Sequence, residues 1–297
     1  MKLLLTGSDG FVGGILKRQR ASIPLADDGG NVDLRDAERL RRAIGRIGAD
    51  AVIHLAAQTF VPASFAHPRD TYEFNFFGTL NLLDALKAAG FTGRFLYVGS
   101  GDSYGIVAPG ELPIDEQRPL RPRSPYAVSK AAAEALCYQW SQSEAFEIVM
   151  TRSFNHIGPG QSERFVISDF ARQVVEIRKG LRAEVIRTGD IDVTRDFTDV
   201  RDVVQAYLLL LEHGRCGEAY NVCSGSEHSI RSLLIRLLQL AGVEAAIEQD
   251  PSRLRRSEQR RICGNPQKLE HDTGWTRRYS SDASLADIID DWEAKLS

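Results

Sequence analysis

The chain opens Met1-Lys2-Leu3-Leu4-Leu5-Thr6-Gly7-Ser8-Asp9-Gly10-Phe11-Val12-Gly13, and this stretch decides the fold. An apolar run that stops at a glycine has the pattern of a strand buried on both faces. Glycines then recur at 7, 10 and 13, where a helical pattern begins. One glycine permits a tight turn, another lets backbone N–H groups approach a pyrophosphate, and a third lets helix and strand pack closely. The helix start adds free N–H donors and partial positive charge. The turn is therefore expected to hold a dinucleotide, with Gly7, Gly10, Phe11, Val12 and Gly13 against it. Asp9 must then point away from the phosphates.

Working outward, short apolar runs at residues 2–6, 22–25, 51–55, 94–98 and 147–151 alternate with helical patterns at 11–20, 36–47, 69–89 and 125–144. Such alternation predicts parallel strands joined by right-handed crossovers, hence an α/β fold with a doubly wound, Rossmann-type parallel sheet. Further on, 169–180, 200–213 and 229–241 read as helices and 184–187 and 219–223 as strands. Ser229 is a plausible N-cap, and Ile230, Leu233, Leu234, Leu237 and Leu238 have the spacing of a buried helix face. Residues 1–153 are expected to form the dinucleotide-binding domain, with about 188–225 returning to it. A smaller C-terminal substrate-binding domain is expected over 154–297.

Composition excludes several classes. The 297 residues are 43% hydrophobic and 26% charged, a globular balance. A net charge of −3 argues against general nucleic-acid or acidic-membrane binding. Only seven of the 37 basic residues are Lys, and Arg suits phosphate with its rigid fork. Cys137, Cys216, Cys223 and Cys263 show no C-x-x-C spacing, so a reducing cytoplasm is the expected compartment and no metal is expected. Three leucines at the start are too few for a signal peptide, and the longest apolar run, 203–211, is too short for a bilayer.

Tyr126 and Lys130 share one helix face at i and i+4. A nearby ammonium favours phenolate, so Lys130 is expected to lower the Tyr126 pKa and tune it for proton exchange with a carbonyl or alcohol oxygen. The fourth strand, 94–98, runs out into Gly99-Ser100, which places Ser100 where ligands sit in open α/β sheets, able to bond that same oxygen. No hydrolase nucleophile is expected, and His54 is expected to be a core histidine. Asp33 lies 20 residues past Gly13, near the distance of a ribose-binding acid, with Leu34 beside it. Asp27 and Asp28 lie nearer the strand end, and Arg18 or Arg20 would instead suit a 2′-phosphate, so NADPH and NADH both stay open.

Together these motifs resemble the extended short-chain dehydrogenase/reductase family over essentially the whole chain. The matching pieces are Gly7–Gly13, His54-Leu55-Ala56-Ala57, Asn75-Phe76-Phe77-Gly78-Thr79, Ser100 to Gly105, Tyr126/Lys130 and Arg195-Asp196-Phe197. The resemblance implies that Ser100, Tyr126 and Lys130 do the proton chemistry. It also implies that Lys130 and Tyr126, with Leu55, Ala56 and Ala57, meet the cofactor. Arg152 to Gln161, Phe165-Val166-Ile167, residues 189–197 and Arg255-Arg256-Ser257-Glu258-Gln259 look like members acting on GDP-linked 4-keto-6-deoxy sugars. That implies reduction of a C4 ketone, giving GDP-D-rhamnose, with NADPH or NADH as hydride donor. Substrate contacts would fall on Ser100, Gly101, Asp102, Asn155, Arg172, Arg195, Arg255, Arg256 and Glu258. The arginines would grip the diphosphate, and Glu258 the guanosine.

The alternatives are the opposite C4 epimer (GDP-6-deoxy-D-talose), a GDP-mannose 4,6-dehydratase or epimerase, and a cofactor-sensing binding protein. Asp102 stands where related dehydratases carry Glu, one methylene longer, which favours the reductase. The stretch from Gly13 to Asp33 is short for the family. The family also pairs two long helices per subunit, so a homodimer is expected, with Ala131, Ala132, Ala135 and Leu136 as a small-residue face.

Overall fold

The computed structural model describes residues 2–253 and 259–297. Its centre is a six-stranded parallel sheet. In chain order the first part runs β1 (Leu3–Thr6), α1 (Phe11–Gln19), β2 (Ile23–Pro24), β3 (Ala26–Asp27), β4 (Gly30–Asn31), α2 (Ala37–Ile47), β5 (Ala51–His54), α3 (Val61–Ala66) and α4 (Pro68–Tyr72). Then follow α5 (Gly78–Ala88), β6 (Arg94–Ser100), α6 (Pro125–Ser143), β7 (Glu147–Ser153), β8 (Asn155–Ile157) and α7 (Val166–Arg178). The remainder is β9 (Val185–Thr188), β10 (Thr194–Asp199), α8 (Val200–His213), β11 (Ala219–Val222), β12 (Glu227–Ser229), α9 (Ile230–Ala241), β13 (Ala246–Gln249), α10 (Gln267–Thr273) and α11 (Ser281–Lys295).

The sheet order is β11-β7-β6-β5-β1-β2. The chain winds outward from β1 to β2, then crosses back to β5, so the switch point lies between the C-terminal ends of β1 and β5. Alternate strand residues feed opposite faces. Leu4, Val52, Phe95 and Ile148 pack with Leu40, Leu86 and Trp140 of α2, α5 and α6. Leu3, Leu5, Ile53, Leu96 and Val149 pack with Leu16, Val203, Tyr207 and Leu210 of α1 and α8. A separate core joins α7, α9 and α11 over β9 and β10. The small sheets β12-β10-β8 and β13-β9 lie beside it.

The structure departs from the sequence reading in three places. Residues 69–89 are not one α-helix: Glu73–Phe77 forms a π-helical stretch between α4 and α5. There Asn75 turns inward and is fully engaged. Its Oδ1 accepts from Gln58 N (2.8 Å), while Nδ2 donates to Gln58 O (3.1 Å) and Ser129 Oγ (2.9 Å). Such bulges let one side chain leave the helical register. The short stretch before Asp33 is a two-residue strand and a β3–β4 hairpin. Helices α3, α10 and α11 and strands β8, β10, β12 and β13 lie outside the sequence reading, although Leu285, Ile288, Ile289 and Trp292 of α11 carry a clear buried stripe.

Candidate active site

The glycine turn is built as close packing demands. Gly7 has φ +68°, and a Cβ there would sit 2.8 Å from Ala56 N. A Cβ on Gly13 would meet Gly7 O at 2.3 Å. Gly10 precedes α1, no side chain caps that helix, and no acid lies in its first turn. This cradle fits a dinucleotide pyrophosphate. Asp9 turns aside as the chemistry requires. Asn31 Nδ2 (2.9 Å) and Lys17 Nζ (3.0 Å) donate to its carboxylate, and these hydrogen bonds, Asn31 first, hold its pKa below the usual range.

The neighbouring strand end is fixed by His54, a core histidine. Its Nδ1 lies 2.7 Å from Thr6 Oγ1 and its Nε2 3.0 Å from Thr79 Oγ1, and burial depresses its pKa to about 3. Leu55, Ala56 and Ala57 follow as a half-buried segment beside Gly7. On the adenine side, Asp33 takes a two-pronged ion pair from Arg35 (shortest contact 2.6 Å), and Asp27 takes one from Arg39 (2.6 Å). Leu34 is buried in the core, under Gly78. Phe11 and Val12 are half-buried, and the Phe11 ring stacks on His156 with centroids 6.0 Å apart.

Ser100, Tyr126 and Lys130 meet at the C-terminal end of β6. Ser100 ends the strand, and its Oγ accepts from Asp102 N (3.2 Å), capping the 3₁₀ turn Gly101–Tyr104. Pro125 and the Ser124 cap, which accepts from Ala127 N (3.1 Å), start α6 so that Tyr126 lies in its first turn. Lys130 Nζ donates to Val98 O (2.7 Å) and lies 5.0 Å from the Tyr97 ring centroid.

Tyr126 is not the acidic tyrosine that its spacing from Lys130 predicts. Burial, then the Asp102 charge, push the Tyr126 pKa above its ordinary value, and a hydrogen bond with Ser100 only partly opposes them. Both members of the i, i+4 pair have lost water, and burial drives Lys130 down to about 8. In the chain by itself Tyr126 therefore keeps its proton at neutral pH.

Lys130 also makes stability pH-dependent. Its folded pKa of about 8 lies below the ordinary 10.5, so between those values the unfolded chain binds more protons. Unfolding free energy from this group must rise with pH across that window, by on the order of 3 kcal/mol in all. Lys130→Met is therefore expected to be more stable relative to wild type at pH 8 than at pH 10 in urea titrations. A stability gap that does not change with pH would contradict the buried ammonium.

The same turn spells Gly101-Asp102-Ser103-Tyr104-Gly105, a G-x-S-x-G spacing. It runs against the expectation of no hydrolase nucleophile, yet Ser103 is fully buried, whereas an elbow serine must be exposed.

The substrate candidates are more scattered. Gly101 packs on the Phe154 ring, while Asp102 and Asn155 are exposed. Arg172 is committed to Asp169 (2.9 Å) and Glu176 (2.5 Å), with its Nε buried and unpartnered. Arg195, on β10, donates from Nη1 to Thr194 O (2.7 Å). Arg255, Arg256 and Glu258 lie outside the described residues. The chain on either side is anchored: Arg253 bonds Asp169 (2.6 Å), and Gln259 Nε2 donates to Val107 O (2.6 Å) while its Oε1 accepts from Val107 N (2.9 Å). Sequence reasoning gave Gln259 and Asn75 no part in the site; only their place in the quoted motifs signalled them. Among the described residues no cluster of three or more His, Cys, Asp or Glu could hold a metal, and no helix is long and apolar enough to cross a membrane.

A doubly wound parallel sheet, a glycine turn at its switch point and a Ser-Tyr-Lys set at the end of β6 define a short-chain dehydrogenase/reductase. The family model described as GDP-mannose 4,6 dehydratase matches residues 29–288. The chain is 48% identical over 302 aligned positions to the Pseudomonas aeruginosa GDP-6-deoxy-D-mannose reductase, covering 99% of this chain and 98% of that one. It superimposes on the structure of RMD from Pseudomonas aeruginosa complexed with NADPH at a TM-score of 0.92, with 46% identity over 99% of this chain and 100% of the other. Thermus thermophilus UDP-glucose 4-epimerase in complex with NAD follows at a TM-score of 0.86, with 30% identity over 98% and 99% of the two chains. The chain belongs to the extended short-chain dehydrogenase/reductase family.

Proposed function

We propose that this chain reduces the C4 ketone of GDP-4-keto-6-deoxy-D-mannose to GDP-D-rhamnose, with NADPH or NADH as the reductant. The reading is carried by 48% identity, over nearly the whole length of both chains, to a protein named GDP-6-deoxy-D-mannose reductase. The Ser100, Tyr126 and Lys130 constellation at the sheet edge supports it.

The nicotinamide, when bound, supplies the hydride to the ketone carbon. Tyr126 is the proton donor to the ketone oxygen, and its raised pKa keeps that proton available until the oxygen develops negative charge. Ser100 donates a hydrogen bond to the same oxygen and polarises it. Lys130 orients the ribose. Gly7, Gly10, Phe11, Val12 and Gly13 hold the pyrophosphate. Leu55, Ala56 and Ala57 flank it, and Asp33 faces the adenosine with the backbone of Leu34 beside it, the Leu34 side chain staying in the core. Arg195, Arg255 and Arg256 are assigned to the sugar diphosphate, Gly101, Asp102 and Asn155 to the sugar, and Glu258 to the guanosine, while Arg172, already paired with Asp169 and Glu176, drops out of the expected phosphate contacts.

Residues 1–153, with about 188–225 returning to them through α8 and β11, form the dinucleotide part in this reading, and the rest of 154–297 the sugar-nucleotide part. The protein works in the cytoplasm as a homodimer. Of the expected face on α6, Leu136 packs instead against the chain's own core, whereas Ala131, Ala132 and Ala135 recur at helical spacing with Val128 and Tyr138 away from the buried face, and Val128, Tyr138 and nearby Phe65 and Phe77 are exposed. A second copy covers that stripe; a sedimentation mass of one chain at micromolar concentration would refute the pairing.

Incubation with the keto-sugar and NADPH or NADH should consume the 340 nm absorbance in a one-to-one ratio with product, and NMR should assign the rhamno configuration at C4. The family model's description also favours a dehydratase reading. Conversion of GDP-mannose with no net cofactor consumption would replace the proposed reaction with that one.

A further inference from the structure

Behind the proposed proton donor lies a buried ion pair that the reaction scheme does not use. Glu134 stands one turn beyond Lys130 and two beyond Tyr126, so all three share the buried face of α6. Its carboxylate accepts from Arg152 of β7, at 3.1 Å from Nε to each oxygen and 2.7 Å from Nη2. Both side chains are about nine-tenths buried. The other end of the guanidinium reaches a different element: Nη1 donates to the Tyr104 hydroxyl (2.9 Å) and to Glu116 O (3.0 Å). Tyr104 in turn donates to Asn221 Oδ1 (2.7 Å) on β11. Its ring lies 5.0 Å from the guanidinium carbon.

Tyr104 closes the 3₁₀ turn that Ser100 opens. One guanidinium therefore joins the turn carrying Ser100 to the helix carrying Tyr126 and Lys130. Arg152 is itself held in register, opposite Gly99 on β6 and Asn221 on β11. We propose that the Glu134–Arg152 pair, with Tyr104, is a positioning device that fixes Ser100 and Tyr126 against one ketone oxygen. All three are buried, so they act through Ser100 and Tyr126 rather than by contact with the substrate.

The energetics favour a geometric role over a stabilising one. A buried ion pair gains little stability over apolar residues of similar volume, while removing only one partner leaves an uncompensated charge. What the pair has that leucine and methionine lack is direction. Five N–H donors in a planar fork set both distance and orientation. A misplacement of about 1 Å among reacting groups costs roughly 10² in rate.

The inference rests on the proposed reductase activity. The double variant Glu134→Leu/Arg152→Met removes both charges together, and Tyr104→Phe keeps the ion pair while cutting the arm to the Ser100 turn and the bond to Asn221. Wild type and variants are compared with NADPH and GDP-4-keto-6-deoxy-D-mannose in single-turnover reduction, with NADPH affinity, sugar KM and urea midpoint measured alongside. The double variant should keep its fold, NADPH affinity and KM within about threefold while the chemical step slows 10- to 100-fold. Tyr104→Phe should slow the step about three- to tenfold with KM unchanged. A chemical step within twofold of wild type in the double variant overturns the inference. If the double variant does not fold, Tyr104→Phe decides, and a full-speed step there overturns it. Wild type that fails to reduce the keto-sugar at all would instead overturn the proposed reaction.

Discussion

Tyr126→Phe is expected to lower turnover by at least about 10² while nucleotide-sugar and cofactor binding survive. The substitution deletes one oxygen from a buried side chain and leaves the ring to fill the same space. It removes the donor that meets the developing oxyanion, and a positioned general acid is typically worth about 10²–10⁴. Ser100 remains but only as a neutral hydrogen-bond donor, and Lys130 is committed to Val98 O at 2.7 Å. The measurement is the 340 nm rate with the keto-sugar, paired with calorimetric binding of GDP and NADPH. Near-normal turnover would remove Tyr126 from the mechanism. Loss of binding along with rate would make it a packing residue.

Gly13→Ala should damage the cofactor cradle. The new methyl would lie 2.3 Å from Gly7 O and 2.8 Å from Ser8 Cα, both backbone atoms that cannot swing away. The glycine turn must move, and with it the N–H groups at the start of α1. Overpacking of this kind destabilises by about 1–3 kcal/mol, and NADPH affinity should fall at least tenfold. Gly14→Ala is the matched control. Nothing lies within 4 Å of its added methyl, so it should bind normally and gain up to about 1 kcal/mol from helix propensity. Fluorescence titration with NADPH and thermal melts of both variants check the pair. Wild-type affinity in Gly13→Ala would mean that the turn does not hold the pyrophosphate.

Most of the sheet was legible because its signals are local. The run Leu3–Thr6 meeting a glycine, the 3.6-residue pattern of α9 after the Ser229 cap, and the four-residue spacing of Tyr126 and Lys130 each sit within one strand or one helix. The π-helical stretch at Glu73–Phe77 was not legible. Its cause is a demand from Gln58 and Ser129, far away in the chain, for the amide of Asn75. The Arg152–Glu134 pair hid for a similar reason. Its members lie 18 residues apart on a strand and a helix, and neither position looks unusual in isolation. Arg172 looked like a free cation until Asp169 and Glu176 were found beside it.

The sign of the Tyr126 shift shows where the boundary runs. Spacing alone established that a phenol and an ammonium lie on one helical face, beside a strand end that follows a glycine turn, because backbone periodicity is a property of neighbouring residues. Only the packed molecule decided that both groups are stripped of water, that Val98 O and the Asp102 charge weigh on them, and that the phenol holds its proton. Desolvation and pairing depend on what the rest of the chain brings alongside, and no local pattern encodes that.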